Sequence, residues 1–308
     1  MICLFMITLP LVHASFIAFG DWGINSTDYQ ASVVALSNYH PDFTVLLGDN
    51  FYPSGVSSVE DTKWRLFTTF QNTAPVFYGV LGNHDYGGSI DAQSEYAIVN
   101  PFWKMPARYF YRILPFRNTL LCGIFLDSFD LDETQVRWLN VVLASQPCQQ
   151  DSTYRFAFTH YPINTVGGFV DDSRVRDLQR NVKPLLQQYR VHAFVCGHEH
   201  DFQVFEDGGV WYIISGVFSD KYDADITDGQ SNKLLFRDYR TPGFAVFRAA
   251  NDTSINVDLV DSRNLQSVYT TSIDLNGNWS LIVDPSHTDA IVWRYSPVTV
   301  LCMSWVLQ

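Results

Sequence analysis

Five short polar clusters in this chain each follow an apolar run of strand length. Ser15-Phe16-Ile17-Ala18-Phe19 leads into Gly20-Asp21-Trp22-Gly23, and Phe43-Thr44-Val45-Leu46-Leu47 into Gly48-Asp49-Asn50-Phe51-Tyr52. Residues 76–81 lead into Gly82-Asn83-His84-Asp85, residues 155–159 into His160-Tyr161-Pro162, and residues 192–196 into Gly197-His198-Glu199-His200. The side chains that could do chemistry are Asp21, Asp49, Tyr52, Asn83, His84, His160, His198 and His200. Hard oxygen donors mixed with imidazole suit Fe, Mn or Zn rather than a soft thiolate site. The set exceeds what one tetrahedral ion needs. Two ions bridged by a carboxylate is the economical arrangement, and two ions about 3.5–4 Å apart can clamp the attacking and leaving oxygens of a phosphoryl group.

Singly, each cluster has a plainer explanation. An Asp beside Gly is commonly a turn residue. Asn83 before His84 fits an ordinary turn, and His160 fits a core imidazole satisfied by a carbonyl. His198 and His200 say more, because two His two residues apart at a strand end can turn toward one site. The five clusters together, in this order and each behind an apolar run, point to a metal centre.

The elements that must position these residues follow from the patterning. Near-continuous apolar runs of four to six residues read as strands buried on both faces. Helical patterns lie between them at 28–39, 58–70, 132–144 and 173–189. Asp132 is the expected N-cap of the third, and Pro184 is expected to break or kink the fourth. Strands alternating with helices predict an α/β sheet whose crossovers return the chain to the same edge. Sites in such sheets form beyond the carboxyl ends of the strands, where all five clusters lie. After residue 208 the character changes. Residues 210–214, 243–247 and 254–260 read as antiparallel strands. The expected fold is mixed α/β: two packed mixed β-sheets flanked by helices, a four-layer α/β/β/α sandwich.

Composition sets bounds on partners. The 308 residues are 47% hydrophobic and carry a formal charge of −12. An acidic chain lacks the broad basic face of a duplex nucleic-acid binder, so an anion must be met by a local cationic site. No apolar run reaches the roughly 18 uncharged residues of a spanning helix. Residues 1–14 are apolar and end in small residues, which reads as a signal peptide. Residues 15–285 are then the catalytic domain and 286–308 a tail. Loss of Cys3 with the leader leaves Cys122, Cys148, Cys196 and Cys302. Their wide spacing fits no zinc pattern, and one disulfide suits a secreted chain. Sequons at Asn25, Asn251 and Asn278 agree with a secreted glycoprotein or a lysosome- or vacuole-like compartment. A monomer is expected.

The blocks around Asp21, Asp49, Asn83, His160 and His198 resemble those of the calcineurin-like metallophosphoesterases. Tyr52, three residues after Asp49, narrows the resemblance to the purple acid phosphatases. The size and Gly20-Asp21-Trp22-Gly23 are similar to the small, tartrate-resistant branch. The resemblance implies that Asp21, Tyr52 and His200 hold a ferric ion and that Asp49 bridges both ions. Asn83, His160 and His198 would hold a second, divalent ion: Fe, Zn or Mn. His84 would face the substrate phosphate.

A trivalent and a divalent ion outweigh the anionic Asp21, Asp49 and Tyr52, so the site stays cationic within an acidic protein. A free phenol has a pKa near 10 and binds as phenolate only where a strong Lewis acid displaces its proton, which favours Fe(III) beside Tyr52. The implied reaction is hydrolysis of a phosphate monoester by a metal-bound hydroxide, with an optimum below neutrality.

The chain departs from mammalian-type relatives at Tyr86, where they carry His. Between His160 and His198 the only His is His192. The stretch 127–133 is shorter than the relatives' restraining loop. The proton donor to the leaving group is therefore to be found among His84, Asp85 and Tyr86. Two other readings compete. The same centre could act on a phosphodiester or nucleotide, as decided by the loops 53–59, 87–106 and 164–172. A non-catalytic scaffold of this fold would have lost ligands, whereas this chain keeps all of them.

Overall fold

The computed structural model describes residues 14–221 and 232–277. Residues 1–13 of the expected leader, Cys3, Cys302, the Asn278 sequon and the tail at 286–308 lie outside the described residues. The strands in chain order are β1 (Ser15–Phe19), β2 (Phe43–Leu46), β3 (Phe77–Gly79), β4 (Trp103–Lys104), β5 (Phe110–Phe116), β6 (Thr119–Phe125) and β7 (Thr153–Phe158). They continue with β8 (Ala193–Cys196), β9 (Phe202–Asp207), β10 (Val210–Ser215), β11 (Leu234–Asp238), β12 (Gly243–Asn251), β13 (Ser254–Asp261) and β14 (Ser267–Asp274). The helices are α1 (Thr27–Leu36), α2 (Trp64–Phe70), α3 (Ile90–Val99), α4 (Glu133–Ala144), α5 (Gln146–Gln149), α6 (Ser173–Asn181) and α7 (Lys183–Gln188).

Two sheets of seven strands result, ordered β14-β13-β12-β1-β2-β3-β4 and β11-β9-β10-β8-β7-β6-β5. In the first, β1 to β4 run parallel and β12 to β14 are antiparallel. In the second, β6, β7, β8 and β10 run parallel between antiparallel edges. This is the expected sandwich of two mixed sheets with helices outside.

The apolar runs are continuous because both faces of the central strands are covered. Along β8, Ala193 and Val195 belong to the core between the sheets, while Phe194 and Cys196 pack under the helices α4, α6 and α7. Phe16 of β1 shows how the sheets join. Its ring stacks between Phe43 and Phe247 of its own sheet at 4.8 and 4.3 Å. It meets Phe156 and Phe158 of the other sheet edge-on at 5.7 and 5.9 Å.

Three local expectations need correction. The second helix starts at Trp64 rather than 58, because the Asp61 carboxylate accepts the Ser57 and Lys63 amides and folds 57–63 into turns. Residues 90–99, treated as loop, form α3, with the Ser89 hydroxyl accepting the Ala92 amide as N-cap. The antiparallel part also gains β9, β11 and β14. By contrast, Asp132 caps α4 by accepting the Gln135 amide. The 173–189 pattern breaks just before Pro184, at Val182.

Candidate metal centre

Both sheets present the carboxyl ends of their parallel strands to one place. Main-chain bonds fasten them there. The Gly20 amide donates to Ser215 at 2.8 Å, and the Gly197 amide donates to His160 at 3.1 Å. Asp21 follows β1, Asp49 and Tyr52 follow β2, and Asn83 and His84 follow β3. His160 follows β7, and His198 and His200 follow β8. Asp21, Asp49 and His198 hold φ values of 59°, 49° and 71°. That left-handed region costs a non-glycine residue of order 1 kcal/mol or more and persists only where surroundings enforce it.

The donor atoms fall into two sets. In one, the Tyr52 hydroxyl lies 3.1 Å from Asp21 Oδ1, 2.9 Å from Asp49 Oδ2 and 3.2 Å from His200 Nε2. In the other, His160 Nε2 lies 3.1 Å from Asn83 Oδ1, 3.2 Å from His198 Nδ1 and 3.4 Å from Asp49 Oδ1. Asp49 thus gives one oxygen to each set. Asp21, Asp49 and His160 can together offer three buried donor atoms within 4.8 Å of one another.

This arrangement suits cations. His160 Nδ1 lies 2.9 Å from the Leu47 carbonyl, which can only accept, so Nδ1 carries the proton. The lone pair of Nε2 then faces the Asn83 and Asp49 oxygens, which are acceptors too. Either a proton or a metal ion must stand between them. Without metal, burial opposes charging His160, but the Asp49 and Asp21 carboxylates prevail and raise its pKa to about 9. Burial and the same two carboxylates push the Tyr52 phenol well above its ordinary value. Burial and the neighbouring His160 drive His198 well down. Burial opposes ionisation of Asp49, yet His160 and His84 hold its carboxyl below the usual range. These opposed shifts in one place are what a site built for cations leaves behind.

Close packing explains the flanking glycines. A Cβ on Gly48, at φ +87°, would lie 2.8 Å from the His160 ring. One on Gly82 would lie 2.1 Å from Asp49 Oδ1.

The centre opens into a cavity of about 240 Å³. Asp49, Asn83, His84, His198 and His200 line it together with Tyr161, Phe169 and Asp172, and the Tyr161 and Phe169 rings pack against His198. His84 Nδ1 donates to the Pro53 carbonyl at 2.6 Å, which turns Nε2 toward the site, 3.8 Å from Asp49 Oδ2. Of the candidate proton donors, only His84 lines the cavity. Asp85 is fully buried and accepts the Gly82 amide at 2.8 Å and the Gln93 side chain at 2.8 Å. Tyr86 donates to Asp127. Of the three loops expected to shape the pocket, only 164–172 lines it. His192 bonds Arg155 and Leu275 at the far end of the sheet. Phe169 and Asp172 belong to the expected loop 164–172 and Tyr161 to the His160 cluster, but none of the three has a role readable from the sequence, because wall residues carry no spacing rule.

Residues 14–202 match the family model described as calcineurin-like phosphoesterase. Tartrate-resistant acid phosphatase type 5 of Mus musculus is 30% identical over 251 residues, spanning 68% of this chain and 74% of that protein. Purple acid phosphatase 7 of Arabidopsis thaliana is 26% identical, spanning 66% and 69%. Among solved structures, GAP50, the anchor in the inner membrane complex of Plasmodium, superposes with a TM-score of 0.71 at 20% identity over 85% of this chain and 89% of that one. The purple acid phosphatase PPD1 from yellow lupin superposes at 0.63 with 15% identity, over 85% and 54%. The chain is therefore a member of the calcineurin-like phosphoesterase family, in its purple acid phosphatase branch.

Proposed function

We propose that the protein is a metal-dependent acid phosphatase acting on small phosphate monoesters. Asp21, Tyr52 and His200 would hold Fe(III), and Asn83, His160 and His198 a divalent Fe, Zn or Mn. Asp49 would serve both. The observation that carries this reading is the division of the donor atoms into two sets sharing one carboxylate. When bound, the ions supply positive charge for the phosphoryl oxygens and a water nucleophile activated at acid pH.

The chain's own residues do the rest. The donors are preorganised by the strand ends, so little reorganisation accompanies charge development on the phosphoryl group. His84, oriented by the Pro53 carbonyl, presents Nε2 to the substrate and delivers a proton to the leaving oxygen. Tyr161 and Phe169, packed on His198, exclude water from that part of the cavity.

We also take 1–14 as a leader, 15–285 as the catalytic unit and 286–308 as a tail. A secreted or lysosome- or vacuole-like setting accords with the Cys122–Cys148 disulfide and with exposed sequon residues Asn25 and Asn251. Among the described residues no helix is long and apolar enough to cross a membrane.

Metal analysis with a visible spectrum tests the centre. About two ions per chain and a phenolate-to-iron band are expected. Purified protein without metal, or active on nitrophenyl phosphate only above about pH 8, would refute the reading.

A further inference from the structure

The part of the cavity wall that packs against His198 belongs to the connection between β7 and α6, and something must hold it there. Between His198 and His200 the side chains alternate. The two imidazoles turn to the centre, and Glu199 turns away from it. Glu199 is 1% exposed, and its Oε1 accepts the Thr165 hydroxyl at 2.7 Å and the Phe169 amide at 3.1 Å. A Cβ on Gly167 would fall 2.2 Å from Glu199 Oε2, so only glycine lets the loop approach the carboxylate this closely. A second tie runs beside the first. Gln203 Oε1 accepts the Val166 amide at 3.0 Å, while Gln203 Nε2 donates to Asp201 at 2.9 Å. The ties bring the Phe169 ring to 4.2 Å from His198, whose other face meets Tyr161 at 3.9 Å.

We propose that Glu199 is a positioning residue that clamps residues 165–169 so that Phe169 packs against His198 and forms the substrate-facing wall. The metal-side segment and the substrate-side loop are thereby one unit. The part of a substrate beyond phosphorus meets a wall whose place is set from behind by Glu199. Loss of the clamp lets Phe169 swing out, widening the cavity without altering any donor atom. This rests on the phosphatase reading above.

The test uses the full chain with its metals, in the variants Glu199→Ala, Glu199→Gln, Phe169→Ala and the double Glu199→Ala/Phe169→Ala. Thr165→Val removes one of the two donors and is the milder substitute should Glu199→Ala not fold. Amide exchange reads the clamp without activity. In Glu199→Ala, exchange across 165–169 should quicken about tenfold or more. The KM for nitrophenyl phosphate should rise roughly tenfold, with kcat within about threefold and metal content unchanged. Glu199→Gln keeps the acceptor oxygen and should stay near wild type. The double variant should be no worse than the worse single one, because both remove the same wall. Unchanged exchange, unchanged KM or additive effects would each overturn the proposal. So would metal loss without faster exchange. A wild-type chain that turns over no phosphomonoester would sink the phosphatase reading instead, and exchange would still decide the clamp.

Discussion

At the scale of single residues, Asp49 has the most demanding position. Its two oxygens face different donor sets, its φ is positive, and the Gly82 backbone leaves no space beside it. Asp49→Asn keeps the shape and removes the charge. It should lower kcat by more than about a hundredfold and reduce bound metal in elemental analysis. Tyr52→Phe should keep the fold by circular dichroism yet lose the visible band. His192 behaves oppositely, being far from the centre. Burial, then Arg155, lowers its pKa to about 4. The folded chain holds it neutral, whereas an unfolded chain protonates it near 6.5. Its contribution is complete above pH 6.5 and is lost as pH falls toward 4, by about 3 kcal/mol. Urea denaturation at pH 7.5 and 4.5 should show a smaller loss in His192→Gln than in wild type.

At the scale of elements, the parallel strands were legible because burial on both faces leaves uninterrupted apolar runs. Asp132 and Pro184 were legible because capping and ring sterics act locally. Helix α3 was missed because Ser89 is an ordinary polar residue until its hydroxyl meets the Ala92 amide. The edge strand β5 was missed because one face of it is open to solvent, and its inner neighbour β6 was missed with it. Strand β6 matters to stability through a covalent tie, since its Cys122 is bonded to Cys148 of α5, 26 residues on. Closing a loop of that length contributes about 3 kcal/mol in the chain-entropy account. Cys122→Ser/Cys148→Ser should therefore lower the thermal midpoint, while metal content, set at the other end of β6 and β7, stays intact.

At the scale of the whole molecule, the site exists only because two sheets meet. Phe16 is the hub of that meeting, touching rings from both. Phe16→Ala should cost about 3–5 kcal/mol by denaturant melt, as full removal of a buried aromatic does. Because the donors come from both sheets, metal affinity should fall in parallel, measured by chelator competition. On the phosphatase reading the acidic chain would meet an anionic substrate at this junction, so excess chelator should remove both the metal and phosphate binding.

The sequence by itself determined the strand ends and which residues stand on them, because burial patterning and short turns are properties of neighbouring residues. It also carried the likeness to one family in five short blocks. Tertiary structure alone decided that Asp49 shares its oxygens between two donor sets and that Asp85 and Tyr86 turn away from the cavity. It also decided that Glu199 holds a distant loop. Those facts are distances between segments up to about 180 residues apart along the chain, and such distances are set by how the sheets pack.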